Sequence, residues 1–539
     1  MDRPASTEQV LPRRTSAVNV LSLLFSASSV LLVTYSFPPY HLGFLAWFGL
    51  SPLFFALRQR GMFSALRGGF LFGCLFGLGA FYWATVVPSI TPFNFLVMLV
   101  TLSLYFIAFG YFYRLISKGI GSWIIIGAPA LWVAMEYTRS NLFFLSLPWN
   151  LTGHSQYRYL PVIQIADLTG VYGVSFLIVM VNQILSQVLD LFLLRRRNSS
   201  APPVCSRGMN WVGQVLVVSL MLVFTFSYGW YNLATKGNAK QLRVALVQAN
   251  VLTWDNMPVV DQEKHFQAYE GLTREAAVSR PDLIVWPASS LPAPIRYVNF
   301  SVRKLARETG SYILVGGAGM EKFGPLREGF LPFSNSEFLI APSGRITGQY
   351  DKIRLTPFNE YLPLQGKIQW PKWITTLKES IIPGKEYTLF EVSGAKFGAP
   401  ICSENMFPDL FSRFVKDGAH FMVSVTNEGF FGRTAAPYQT LASNVFRAVE
   451  NRVAIVRSAT TGVSAFINPS GEIIERVQNS DGRDLFVSGF LVRDTPLSNH
   501  KTFYTVYGDI FAYVAIVFAA LMIAASFFKQ KWFRSQPRI

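Results

Sequence analysis

Eight stretches of this 539-residue chain are long and apolar enough to cross a bilayer, and nothing else in the sequence narrows its fold as much. A hydrocarbon core about 30 Å thick takes roughly 20 helical residues. The stretches cover residues 18–36, 42–57, 68–88, 93–115, 121–138, 172–194, 209–231 and 507–528, the second being the shortest. Inside lipid, each backbone N–H and C=O needs a partner within the protein, so these segments read as helices. An even number of spans sets both termini on one side. The first span is too long for a signal-peptide core and runs straight into the second, so it is expected to be retained.

The placement of charge orients the bundle. The chain carries a net charge of +17, which by itself invites a nucleic-acid reading. Sixteen Lys and Arg against two acids, Asp2 and Glu8, lie in the tails and in the loops after spans two, four and six, which accounts for +14 of it. The opposite short loops, around 37–41 and 89–92, have no Lys or Arg. This is the positive-inside pattern and predicts cytoplasmic termini. The basic charge thus reports topology, and no nucleic-acid partner is expected.

Between spans seven and eight, residues 240–500 change character to short apolar runs, charged helical stretches and Gly/Pro turns. Strands are predicted over 242–250, 282–287, 312–317, 396–402 and 420–427. Hairpins are predicted over 336–352 and 463–477, turning at Pro342-Ser343-Gly344-Arg345 and Pro469-Ser470-Gly471. Helices are predicted over 261–279, 297–309 and 437–451. Interleaved elements of this kind give a layered α/β domain outside the cytoplasm. The expected division is a tail over 1–17, seven transmembrane helices within 18–231, the domain over 240–500, an eighth helix over 507–528 and a tail over 529–539.

Of the three cysteines, Cys74 sits inside a span and Cys205 in a cytoplasmic loop, so Cys402 is the one thiol in the outer domain. A buried strand-end cysteine acting as a small hydrophobe is one reading. A nucleophile at a strand-to-turn junction, followed by Ser403, Glu404 and Asn405, is the other. None of the five histidines is placed as its partner, and no His or Cys spacing offers a metal site. Lys352, among prolines and aromatics, is the remaining cation that could favour a thiolate.

The segments VWPASSLP (285–292), YDKIRLTPFNEYLP (350–363), PICSEN (400–405) and NEGFFG (427–432) together resemble the nitrilase superfamily. With the membrane spans and LPWN (147–150), the whole chain is similar to that superfamily's membrane branch, the apolipoprotein N-acyltransferases. The resemblance implies an α-β-β-α sandwich carrying a Glu–Lys–Cys triad. It implies transfer of an acyl chain from a phospholipid, through a cysteine thioester, to the α-amino group of the diacylglyceryl-modified N-terminal cysteine of lipoproteins. Cys402 would then be the nucleophile and Lys352 the cation that stabilises thiolate and oxyanion. Glu360 would hold the lysine, and Glu404 would be a supporting acid. Trp254 matches an aromatic at the family's substrate entrance, although a loop tryptophan packed at the membrane surface explains it equally. A monomer without metal or nucleotide cofactor is implied, embedded in the bacterial inner membrane with its catalytic domain periplasmic.

One residue departs from the family pattern. Where the family has Trp-Pro-Glu, with the glutamate as general base, this chain has Trp286-Pro287-Ala288. General-base catalysis is typically worth about 10²–10⁴-fold. The following SSLPAP holds no carboxylate, and Asp282 stands at the far end of the strand. Ser403 also replaces a usual aromatic. An enzyme whose proton goes to Glu360, Glu404 or water, a pseudoenzyme that binds lipid or lipoprotein, and an altered form of an ordinary enzyme are the three readings of Ala288. Other classes fare worse: a transporter rests on little intramembrane charge beyond Glu136, and a nitrile or amide hydrolase needs no spans.

Overall fold

The computed structural model describes residues 13–58, 61–195, 211–235, 240–252, 259–291, 295–320, 333–371, 373–375, 377 and 380–535. Among them, five helices are long and apolar enough to cross a membrane: Met62–Ala80, Pro92–Gly119, Val171–Phe192, Trp211–Ala234 and Ile510–Lys531. The other three predicted spans fall on different material. The span predicted over 18–36 lies within the helix Arg13–Ser36. Ile124–Asn141 carries Pro129, Glu136 and Arg139 within it. The stretch at 42–57 breaks into Gly43–Leu45, Ala46–Gly49 and Ser51–Arg58.

Pro52 explains the last break, because a proline cannot donate to the preceding turn. Phe48 O, which residue 52 would otherwise serve, accepts from Ser51 Oγ at 2.7 Å, and the backbone N–H groups of Leu50 and Ser51 donate to Asn182 Oδ1, at 2.8 and 2.9 Å. Glu136, on the helix Ile124–Asn141, is 2% exposed. Its Oε1 accepts from Trp132 Nε1 at 3.0 Å and from Thr152 N and Oγ1 at 2.6 and 2.7 Å. It therefore ties its helix to the segment that follows Trp149 and Asn150.

The domain between the helices Trp211–Ala234 and Ile510–Ser535 contains the strands β1 (Gln241–Gln248), β2 (Leu283–Val285), β3 (Tyr312–Met320), β4 (Phe333–Ile340), β5 (Ile346–Asp351) and β6 (Phe390–Val392). It continues with β7 (Ala395–Gly398), β8 (Phe421–Thr426), β9 (Ala454–Ala459), β10 (Ala465–Ile467), β11 (Ile473–Arg476) and β12 (Gly489–Pro496). They form two six-stranded sheets, in the orders β12-β1-β2-β3-β4-β5 and β11-β10-β9-β8-β7-β6. Strands β1, β2 and β3 run parallel, as do β7, β8 and β9, with antiparallel strands outside them.

Alternation along the strands decides the layers. On the first sheet Val244, Leu246, Val285, Leu314 and Leu339 face inward and share one core with the second sheet. Ala245, Val247, Ile284, Ile313 and Val315 face outward, against Tyr269 and Ala276 of the helix Val259–Ala277 and Leu305 of the helix Ile295–Thr309. The helices Pro408–Lys416 and Ala436–Asn451 accompany the second sheet. The result is an α-β-β-α sandwich.

The sandwich is stitched to the membrane helices by polar contacts in an otherwise apolar junction. Gln439 Oε1 accepts from both Trp83 Nε1 and Trp149 Nε1, at 3.0 and 2.7 Å. Arg452 pairs with Asp167 at 2.7 Å. Glu450, fully buried, accepts from Val171 N at 3.1 Å and pairs with Arg447 at 2.8 Å. Burial, aided by the charge of Asp509, pushes the Glu450 pKa up to about 7 against the pull of Arg447.

A carboxyl whose folded pKa exceeds its unfolded one stabilises while protonated. That contribution is whole below about 4.5 and is lost as pH rises through about 7. Thermal unfolding followed from pH 5 to 8 should show a falling midpoint. Glu450→Gln should flatten that slope, by roughly 3 kcal/mol across the window at 1.4 kcal/mol per pKa unit.

Candidate active site

Residues 352–360 and the turn at Cys402 meet beside a cavity lined by both the sandwich and the membrane region. The strand β5 delivers Lys352 one residue past its end, and Lys352 N donates to Asn335 O of β4 at 2.8 Å. The loop that follows returns Glu360 to it. Lys352 Nζ lies 2.6 Å from Glu360 Oε2, with the lysine side chain 1% exposed. Thr356 N donates to the same oxygen at 2.7 Å, and Asn335 Nδ2 donates to Oε1 at 3.2 Å.

Cys402 opens the short helix Cys402–Met406 just beyond β7. Its φ of 53° is in the left-handed region, where a non-glycine residue carries about 1–3 kcal/mol of strain. The turn is fixed from below by Glu404, which is fully buried. Glu404 accepts from Ile353 N and Arg354 N at 2.8 and 2.9 Å, from Ile401 N at 2.8 Å, and from the Tyr350 hydroxyl at 2.9 Å. One carboxylate thus binds the backbone after Lys352 to the backbone before Cys402.

Electrostatics follow from this burial. Desolvation pushes the Cys402 thiol up, and the Lys352 ammonium together with a hydrogen bond from Thr426 only partly draws it back. Burial works against the lysine too, yet Glu360 and the cysteine hold its pKa above the ordinary lysine value. Glu360 resists its own burial through Lys352 and stays below the usual carboxylate range. Glu404 is raised by burial, with Lys352 and its backbone donors opposing. At neutral pH the lysine is therefore charged and paired.

Of the residues singled out from the sequence, Cys402, Lys352, Glu360 and Glu404 come together. Trp254 lies outside the described residues, as does Cys205. Asp282 stands at the opposite end of β2, its Oδ2 accepting from Arg243 N at 3.0 Å. Sequence reasoning missed Asn335, Tyr350 and Thr426, whose roles depend on cross-strand neighbours rather than on any local pattern. Among the described residues, no group of three or more His, Cys, Asp or Glu is arranged to hold a metal ion.

Lys352, Glu360 and Cys402 line a cavity of about 1150 Å³. Trp83, Phe93 and Met98 of the membrane region line it as well. Two of its lining residues bridge the regions: Phe93 rests against Trp373, and Asn94 Nδ2 donates to Ile374 O at 2.6 Å.

An α-β-β-α sandwich with a buried lysine, its glutamate and a strained cysteine defines the carbon-nitrogen hydrolase class, and residues 243–487 match that family (Carbon-nitrogen hydrolase). Residues 29–184 match the Apolipoprotein N-acyltransferase N-terminal domain. The chain is 35% identical to the apolipoprotein N-acyltransferase of Geobacter metallireducens, over 96% of both chains. It is 29% identical to the enzyme of that name from Chlorobaculum tepidum, over 92% of this chain and 94% of the relative. The chain belongs to the apolipoprotein N-acyltransferase family. Among solved structures, it is similar to a nitrilase-superfamily amidase from Nesterenkonia AN1, with 17% identity, a TM-score of 0.37, and coverage of 48% of this chain and 92% of that one.

The brace can be tested without turnover. Glu404→Gln places an amide N–H₂ against backbone donors, so it should destabilise the chain by about 2 kcal/mol. It should also slow alkylation of Cys402 by iodoacetamide. A variant with unchanged midpoint and unchanged alkylation would mean that Glu404 does not hold the turn.

Proposed function

We propose that this chain moves an acyl group from a phospholipid to the α-amino group of the diacylglyceryl-modified N-terminal cysteine of lipoproteins, by way of a thioester on Cys402. The observation that carries the reading is the cavity, in which Cys402 and the Lys352–Glu360 pair share one space with walls from the membrane helices. Its volume exceeds the roughly 300–1,000 Å³ of ordinary small-molecule pockets and suits a chain-like substrate.

In the first half-reaction Cys402 Sγ attacks the ester carbonyl, and the lysophospholipid leaves with the cysteine's proton. The Lys352 ammonium neutralises the oxyanion. In the second, the lipoprotein amine attacks the thioester, the C–S bond breaks, and the proton lost by the amine passes to the sulfur beside Lys352, restoring the thiol. Splitting the transfer in this way gives ping-pong kinetics. Glu360 fixes the lysine, and Glu404 fixes the turn. Trp254 would supply the aromatic of the substrate entrance.

The division into seven spans over 18–231, a domain over 240–500 and an eighth span over 507–528 fits two membrane-anchored substrates. The basic residues of the tails and even-numbered loops support cytoplasmic termini, and with them a periplasmic domain on an inner-membrane monomer. A second reading rests on Ala288: a pseudoenzyme that binds the same lipids without turnover.

Intact mass of the purified chain incubated with phosphatidylethanolamine separates the two. An added acyl mass on the native chain, absent from Cys402→Ser and reduced at least tenfold in rate in Lys352→Met, is the expected result. A native chain that stays unmodified while Ala288→Glu is acylated would establish the pseudoenzyme.

A further inference from the structure

The slot left by Ala288 is not without a carboxyl group. Glu337, in the middle of β4, is fully buried, and neither of its carboxylate oxygens has a hydrogen-bond partner. A buried polar group without a partner costs free energy and calls for an explanation.

Its position supplies one. Glu337 is paired across β4–β5 with Tyr350, whose hydroxyl reaches Glu404, so it lies on the inward face. Asn335, two residues earlier on the same face, donates to Glu360. On its other side Glu337 is paired with Gly316 of β3. A Cβ placed on Gly316 would stand 2.5 Å from Glu337 Oε1 and 2.7 Å from Ala288 Cα. The carboxyl group therefore leans across β3, over a residue with no side chain, and ends beside the position that carries a glutamate in the Trp-Pro-Glu pattern. Ala288 lines the same cavity as Cys402 and Lys352. Any larger residue at 316 would close this passage.

We propose that Glu337 is the general acid–base of this enzyme, carrying from β4 the proton that the family pattern carries at position 288. The inference rests on the acyltransferase reading. In acylation, the Glu337 carboxylate takes the Sγ proton as sulfur bonds to the ester carbon. It then gives that proton to the lysophospholipid oxygen as the C–O bond breaks. In deacylation it takes a proton from the attacking amine nitrogen and returns it to sulfur as the C–S bond breaks. Protons, bonds and charges balance over the cycle with no further reactant. Burial raises the Glu337 pKa well above the usual carboxylate range, which suits a group that must both hold and release a proton. Glu360 and Glu404 are unsuited to the task, being engaged by Lys352 and by backbone donors.

The experiment measures acyl transfer from phosphatidylethanolamine to a diacylglyceryl lipopeptide, together with thioester formation and thermal midpoint. Three forms are compared: the native chain, Glu337→Gln, and Ala288→Glu combined with Glu337→Ala. Glu337→Gln should lower kcat by about 10²–10⁴-fold with KM little changed and the midpoint retained. The double variant should return to within about tenfold of native. Glu337→Gln with kcat within threefold of an active native chain would overturn this inference alone. So would a loss matched by a lowered midpoint and not restored in the double variant, which marks a structural role. A native chain that forms no thioester and transfers nothing would overturn the acyltransferase reading and this inference with it.

Discussion

A lysine ammonium shut away from water by one carboxylate sets the terms for everything around it. Burying either charge alone costs several kcal/mol, and removing one partner leaves the other stranded. The pair at Lys352 and Glu360 is tolerable because its 2.6 Å contact is supplemented by donors from Thr356 N and Asn335. Those donors exist only if β4, β5 and the loop after them hold their register. Glu404 extends the same logic to the cysteine, since its backbone donors come from both sides of the cleft. The site is thus a chain of charge satisfied by backbone, in which moving any segment exposes a buried charge.

The membrane helices take part in this economy of polar groups. Trp83 and Trp149 arrive from different segments and share one acceptor, Gln439, on the helix Ala436–Asn451. Each indole N–H would otherwise be orphaned in an apolar junction, so the contact fixes the sandwich above the helices. The cavity inherits its shape from that docking. Its walls belong to two regions, and neither alone would enclose the space beside Cys402.

Much of this was legible in sequence where a local period carries the signal. The strands expected over 242–250 and 420–427 are β1 and β8, and the hairpin expected over 336–352 turns where Pro342-Ser343-Gly344 places it. Short elements escaped because three or four residues hold no period: β6 at Phe390–Val392 was missed, and β12 was hidden by its half-exposed pattern. The stretch at 42–57 reads as one apolar run because composition does not register that Pro52 leaves Ser51 and Asn182 to serve the polar groups of the broken turn. Cys402, Lys352, Glu360 and Glu404 were found through their motif residues. Asn335 and Tyr350 were not, since what makes them matter is the strand beside them.

Glu337 marks the limit of motif reading most clearly. Catalysis requires a proton carrier at a place in space, and a place can be reached from more than one strand. Reading along 285–292 finds an alanine and stops, whereas reading across the sheet passes from Ala288 over Gly316 to a carboxyl group. The three residue types are consistent with one another: a small residue at 288 makes room, a glycine at 316 opens the way, and a glutamate at 337 fills the gap. A chain that only bound lipid would gain nothing from an unpartnered carboxyl in its core, and leucine there would be cheaper by the cost of desolvating the acid. Strain and unsatisfied groups gather where chemistry needs them. In this sandwich the left-handed Cys402 and the left-handed Ser289 line one cavity with Ala288, and the unpaired Glu337 lies across Gly316 from Ala288.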